Sequence, residues 1–156
     1  MATLKVTVPQ DSQNVAGVVT ITAPLEKVFH AYTDPDLFRK WWGRGNPLDV
    51  HHFDCRSGGW WHLTEISDHG EHEFIGTFHE VAPNERIVQT FEYLGMPERG
   101  NVALERADFV ALDARTTEIR TLSTAQSREA RDAIVASGME AGWRQSVEAL
   151  GRLVEE

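Results

Sequence analysis

Apolar residues recur along the chain with two different periods. Residues 15–24, VAGVVTITAP, crowd β-branched side chains together and predict a strand. Pro24 stands where a helix can begin, and Leu25, Val28, Phe29 and Tyr32 fall on one helical face. Thr33 or Asp34, followed by Pro35, closes that helix and caps a second. Leu37, Phe38, Trp41 and Trp42 keep helical spacing there until Gly43. Upstream, PQDSQN (9–14) is a polar loop between two short apolar runs.

The middle of the chain changes period. Segments 49–56, 59–66, 71–81 and 85–94 read as strands, broken at SGG, SDHG and APN by turn chemistry. Segments 101–113 and 116–125 read as two more. Connections this short imply antiparallel neighbours in a meander. From Ser127 to Val154 the helical period returns. Ile134 is followed by Met139, Trp143, Val147, Leu150 and Val154, three or four apart from Met139 onward. This predicts one long amphipathic helix, capped by Ser127 and weakened at Gly138 or Gly142.

Strands grouped together and followed by a long helix with one apolar stripe mean an α+β fold, the helix lying on one face of the sheet. A twisted antiparallel sheet curls, and one helix is too narrow to fill its concave face. A pocket between the two is therefore expected.

Composition narrows the function classes. The 156 residues suit one domain, read as an N-terminal extension over 1–14 and a folded domain over 15–156. A net charge of −9 argues against nucleic acid and anionic membrane as partners, since both reward clustered Lys and Arg. No apolar run approaches a bilayer span, and MATLKVTVPQ lacks the pattern of a secretory signal, so a cytoplasmic protein is expected. Cys55 is the single cysteine and can form no intramolecular disulfide.

Four segments together resemble a family. YTDPDLFRKWWG (32–43), DCRSGG (54–59), GTFHEVAPNERIVQTFEY (76–93) and EARDAIVASGMEAGW (129–143) are similar to signatures of the activator-of-Hsp90-ATPase-homologue type of START-like domain. This group sits in a superfamily with START lipid-binding domains, polyketide cyclases and plant Bet v 1-type allergens. The resemblance runs over roughly residues 15–154. It implies a helix-grip fold, a curved antiparallel sheet of six or seven strands around the long C-terminal helix, with two short helices after the first strand. It implies no single activity. About a dozen residues precede the first matched strand, which leaves no room for the separate Hsp90-binding domain of the eukaryotic activators.

Candidate chemistry follows from strand parity. Gly58 and Gly59 precede a strand and no Lys follows, so they fit a tight turn better than a phosphate loop. Trp60 and Trp61 point to opposite faces. The family pattern places its recurring aromatic at Trp61, so Trp61 and Leu63 are expected inward. An outward Trp60 suggests a paired surface, hence a homodimer. Phe74, Gly76 and Phe78 share one face, with Gly76 leaving a gap where a ligand or side chain can approach. Ile87, Gln89, Phe91 and Tyr93 share another, and Glu105 has the parity of Phe109. From the lid side come Trp41, Trp42, Met139 and Trp143.

These residues line the expected pocket for a small hydrophobic molecule. Gln89, Tyr93 and Glu105 are its polar groups, able to orient a hydroxyl or carbonyl. Asp54 and Arg56 match the family's Asp-x-Arg and read best as a structural ion pair. The histidines match no metal-ligand spacing, and His51 and His52 point apart by simple alternation, so no metal and no cofactor are expected. Cys55 has no helix N-terminus to activate it. The alternatives to plain binding are a polyketide cyclase-like enzyme using the same pocket, with Tyr93, Glu105 or His62 as its acid or base, and a co-chaperone-like interaction module.

Overall fold

The computed structural model describes residues 1–155. Strands β1 (Thr3–Thr7) and β2 (Asn14–Ile21) form a hairpin, followed by helices α1 (Leu25–Thr33) and α2 (Pro35–Phe38). Six strands follow: β3 (Leu48–Phe53), β4 (Trp60–Ser67), β5 (Gly70–Ala82), β6 (Arg86–Tyr93), β7 (Val102–Asp113) and β8 (Thr116–Thr124). Helices α3 (Arg128–Ala136) and α4 (Met139–Val154) complete the chain. All eight strands join one antiparallel sheet in the order β1-β2-β8-β7-β6-β5-β4-β3. The fold is the expected α+β helix-grip arrangement.

Three differences from the sequence reading have physical causes. The sheet has eight strands rather than six or seven, because the segment before residue 15 pairs with β2 from Thr3↔Thr20 to Thr7↔Ala16 and becomes an edge strand. The second helix ends at Phe38. Trp41 and Trp42 lie in the hydrogen-bonded turns after it, where Trp41 donates its indole Nε1–H to the Ala31 carbonyl at 2.9 Å. The long C-terminal helix breaks in two at Gly138, whose φ of 85° lies in the left-handed region that glycine adopts freely. Gly142 instead lies inside α4, where the Arg44 side chain packs over it.

Two bulges bend the sheet, between Val50 and His52 and between Phe78 and Glu80. The first overturns the alternation expected at His51 and His52. The extra residue puts both rings on the outer face: His52 stacks on Trp60 at 3.8 Å and His51 meets His62 at 4.5 Å.

Inner-face residues form one core reaching from Leu4 on β1 to Leu48 on β3, opposite edges of a sheet about 34 Å wide at ordinary strand spacing. Two covers lie over that face. Helix α4 packs on β1 and on α1, and α1 in turn rests on β7 and β8. The turn carrying Trp41 and Trp42 covers the other side. It is joined to α4 where Ser146 donates its hydroxyl to the Trp42 carbonyl at 2.9 Å. Arg131, buried on α3, donates to the carbonyls of Pro9 and Ser12 and fastens that helix to the first hairpin.

Candidate functional site

On the β3–β6 side, the inner face is filled by the chain's own rings. Trp42 stands against Phe74 at 5.1 Å and Phe91 at 6.2 Å, and Phe74 meets Phe91 at 5.4 Å. Trp61 lies opposite Gly76 in the register, and its ring occupies the space a Cβ at Gly76 would take; the Thr90 carbonyl crowds the same point. The gap at Gly76 is thus closed by a side chain. Leu63 and Phe78 are buried in the same core, and Tyr93 is held at the far end by His72, 3.2 Å from its hydroxyl, and by Gly95 against its ring. One carboxylate, Glu65, is buried here at 2% exposure. Arg44 donates two hydrogen bonds to it, at 3.0 and 2.6 Å, and Asn46 a third at 3.2 Å. Arg44 takes a φ of 58° to do so.

Toward β6–β8 the inner face changes character. The register sets Gln89 opposite Glu105, and Glu105 opposite Ser123, so three polar side chains lie in one row across three adjacent strands. The next row holds Ala107 and Thr121, followed by Gly17 on β2, whose bare backbone receives the Trp143 ring from α4. None of β6, β7 and β8 is a sheet edge, yet Gln89, Glu105, Ala107, Thr121 and Ser123 are all only half-buried. Inner-face side chains of interior strands stay accessible only where the cover stands away from them. The two covers thus leave these side chains incompletely covered, as they also leave Phe74 and Phe91, and Met139 and Trp143 at the start of α4 are half-buried too.

Glu105 is the notable group in this row. Among the described residues, no side chain or backbone group hydrogen-bonds to it, and no cation pairs with it. Burial alone pushes its carboxyl up to about 7. Tyr32 on α1 packs edge-on against Phe109 at 5.0 Å and tilted against Trp41 at 4.7 Å. Burial first, and the Glu105 charge second, hold its hydroxyl well above the ordinary phenol range. Phe109 and Trp41 themselves belong to the core.

The three groups considered for acid–base work do not converge. Tyr93 is four residues from Gln89 along β6, about 13 Å from the Glu105 row. His62 is on the outer face, its Nε2 2.5 Å from Glu73. Cys55 is a poor nucleophile, its thiol pushed up to about 12 by burial and by neighbouring Asp54. Asp54 and Arg56 pair at 2.8 Å on the surface and help shape the turn. In that turn Gly58 takes a φ of 87°, and a Cβ at Gly59 would strike the Asp54 carbonyl. No group of three or more His, Cys, Asp or Glu that could hold a metal occurs among the described residues.

Two depressions lie away from this row. One of about 370 Å³ is on the outer sheet face beside Trp60, Ile75 and Thr90, and one of about 530 Å³ separates β1 from α4. Trp60 is 47% exposed, as an outward residue should be.

The sequence reading overlooked Ser123 in the polar row, Thr121 in the row beside it and Tyr32, which feels the Glu105 charge. Tyr32 was legible only as one position of a helical apolar face. Ser123 carries a parity signal, since alternation from the inward Ile119 puts it and Thr121 on the inner face. Nothing in the sequence marks Arg44 as the partner of Glu65.

Comparison with known proteins agrees with this architecture. The model of the family described as activator of Hsp90 ATPase homolog 1-like protein matches residues 22–155. The chain belongs to that family. Among solved structures it is similar to protein CV1439 from Chromobacterium violaceum, with 26% identity and a TM-score of 0.77 over 92% of this chain and 98% of that one. It is also similar to protein Ms6760 from Mycobacterium smegmatis, with 19% identity and a TM-score of 0.87 over 98% and 96%. DynU16, a putative protein in the dynemicin biosynthetic locus, matches with 22% identity and a TM-score of 0.69, over 90% of this chain and 46% of that one. No curated protein sequence matches. Among the described residues no helix is long and apolar enough to cross a membrane. Within the family, the alignment places the aromatic turn, the paired glycines and α4 inside the matched span.

Proposed function

We propose that the protein binds a small, largely apolar molecule in the cleft between the inner sheet face and α4. The observation that carries this reading is the accessible row Gln89–Glu105–Ser123 on three interior strands, walled by Trp143 and by the Trp42–Phe91 cluster. An apolar enclosure with a few polar groups at its floor is the usual chemistry of a small-molecule site. Membership of a family associated with hydrophobic ligands supports it. The guest sits on the β6–β8 side, since the β3–β5 side is occupied by Trp42, Trp61 and Phe74.

The test uses the protein's own tryptophans. Aromatic polyketides, flavonoids and fatty acids are titrated while indole fluorescence is followed. Saturable quenching that is lost in Ser123→Trp, which fills the cleft floor, is the expected result. Quenching unchanged in that variant, or absent with every ligand class, overturns the reading.

Catalysis in the same cleft is a second reading, favoured by one observation. A carboxyl that titrates near neutral pH can both accept and return a proton. Incubation with a reactive polyketide chain and analysis by mass spectrometry separates the two: a cyclised product formed by the native protein and not by Glu105→Gln identifies an enzyme.

A further inference from the structure

We infer that the guest carries a positively charged amine, which the cleft receives at Glu105. This rests on the binding reading above and narrows it to a chemical class: an apolar molecule ending in an ammonium group.

The chain treats its two inner-face carboxylates differently. Glu65 is neutralised completely, with Arg44 and Asn46 spending their donors on it. Glu105 receives nothing from the described residues, although the cross-strand positions beside it could have held a Lys, Arg or His. They hold Gln89 and Ser123 instead. Both present acceptor oxygens, and neither side chain has a hydrogen-bond partner among the described residues. An ammonium group has three donors and no acceptor. The Gln89 amide oxygen, the Glu105 carboxylate and the Ser123 hydroxyl are acceptors in one row. The protein's net charge of −9 favours the approach of a cation and opposes that of an anion. The carboxyl's position near neutrality fits the same picture: a group left without a counter-charge is costly to ionise until a cationic guest supplies one.

The test compares three probes with the same apolar body: 4-phenylbutylamine, 4-phenylbutanol and 4-phenylbutyrate, titrated calorimetrically into the full chain at pH 8 and low salt. The amine is expected to bind at least tenfold more tightly than the alcohol, and the carboxylate most weakly. In Glu105→Gln the amine should lose its advantage and bind no more tightly than the alcohol binds to the same variant. A second measurement needs no variant. The advantage of amine over alcohol should grow severalfold from pH 5.5 to pH 8 as the carboxyl ionises. Tyr32 on α1 is the titratable group coupled to it, and its hydroxyl stays protonated throughout. The flanking Gln89 and Ser123, and Met139 and Trp143 on α4, carry no charge. An alcohol that binds as tightly as the amine overturns the amine and leaves the apolar guest standing. An amine preference that survives Glu105→Gln, or that ignores pH, overturns Glu105 as its receptor. Failure of all three probes to bind overturns the inference, while the fluorescence titration decides separately on the apolar guest.

Discussion

The two sides of the inner sheet face belong to one sheet but solve opposite problems. Over β3–β5, every space opened by a small residue is closed by a large one: Trp61 covers Gly76, Trp42 fills the angle between Phe74 and Phe91, and Arg44 neutralises Glu65. Over β6–β8, Gln89, Glu105 and Ser123 line up in one row, and none of the three has a side-chain partner among the described residues. The first side holds the sheet together. The second leaves polar side chains without partners, which is what the proposed binding reading calls for.

The largest expected effect tests the packed side. Trp61→Ala removes a ring buried against Gly76 and Phe91, and large-to-small changes of this kind cost about 3–5 kcal/mol. Trp143→Ala removes a half-buried ring at the cleft wall and should cost less than half as much. Chemical denaturation of the two variants measures both. Equal losses would erase the distinction between a filled side and an open one.

Next comes the neutralised acid. Arg44→Ala strands a carboxylate that is 2% exposed, and breaking such a pair costs about 3 kcal/mol, with Arg44's own partial exposure keeping the loss at the lower end. Replacing both residues, Arg44→Ala with Glu65→Leu, should recover most of that loss, because no charge is then left buried. A double variant as unstable as the single one would mean that the Arg44 turn, rather than its charge, holds the Trp42 cover in place.

How much of this was legible in the sequence depends on the kind of signal. Strands and turns were readable because period-two alternation and glycine chemistry are local. Gly58 needs its left-handed φ and Gly59 its missing Cβ whatever lies elsewhere in the chain. Parity grouped Phe74 with Gly76 and Phe78, Phe91 with Gln89, and Glu105 with Phe109, while the family resemblance placed Trp61 inward. Parity fails at a bulge, which is why His51 and His52 share the outer face. Parity also says nothing about what covers a residue. Gly76 offers the same vacancy in sequence whether a ligand or Trp61 fills it, and Glu105 looks the same whether an arginine reaches it or not. Those answers depend on the Trp41–Arg44 turn, whose path is set by tertiary contacts such as Trp41 to Ala31 and Arg44 to Glu65.

The smallest expected effect has the most informative sign. Glu105→Gln should stabilise the protein at neutral and higher pH. The carboxyl titrates at about 7 when folded against an ordinary value of 4.5, so from pH 4.5 to 7 the folded chain holds a proton that the unfolded chain has released. The stability this proton confers is fully present below 4.5 and is lost as pH rises through 7. Native protein and variant should therefore melt together near pH 4 and separate above it. The gap should reach about 2 kcal/mol by pH 8, after allowance for the residue's partial exposure, which is about 4–8 °C in Tm for a chain of this size. Scans at a series of pH values read it directly. A variant less stable than the native protein at pH 8 would mean that Glu105 has a partner and supports the sheet as Glu65 does, and the two sides of the inner face would then follow one rule. A gain confined to high pH means that the chain bears the cost of an unneutralised acid where its own packing does not need one, as a site reserved for something bound from outside would require.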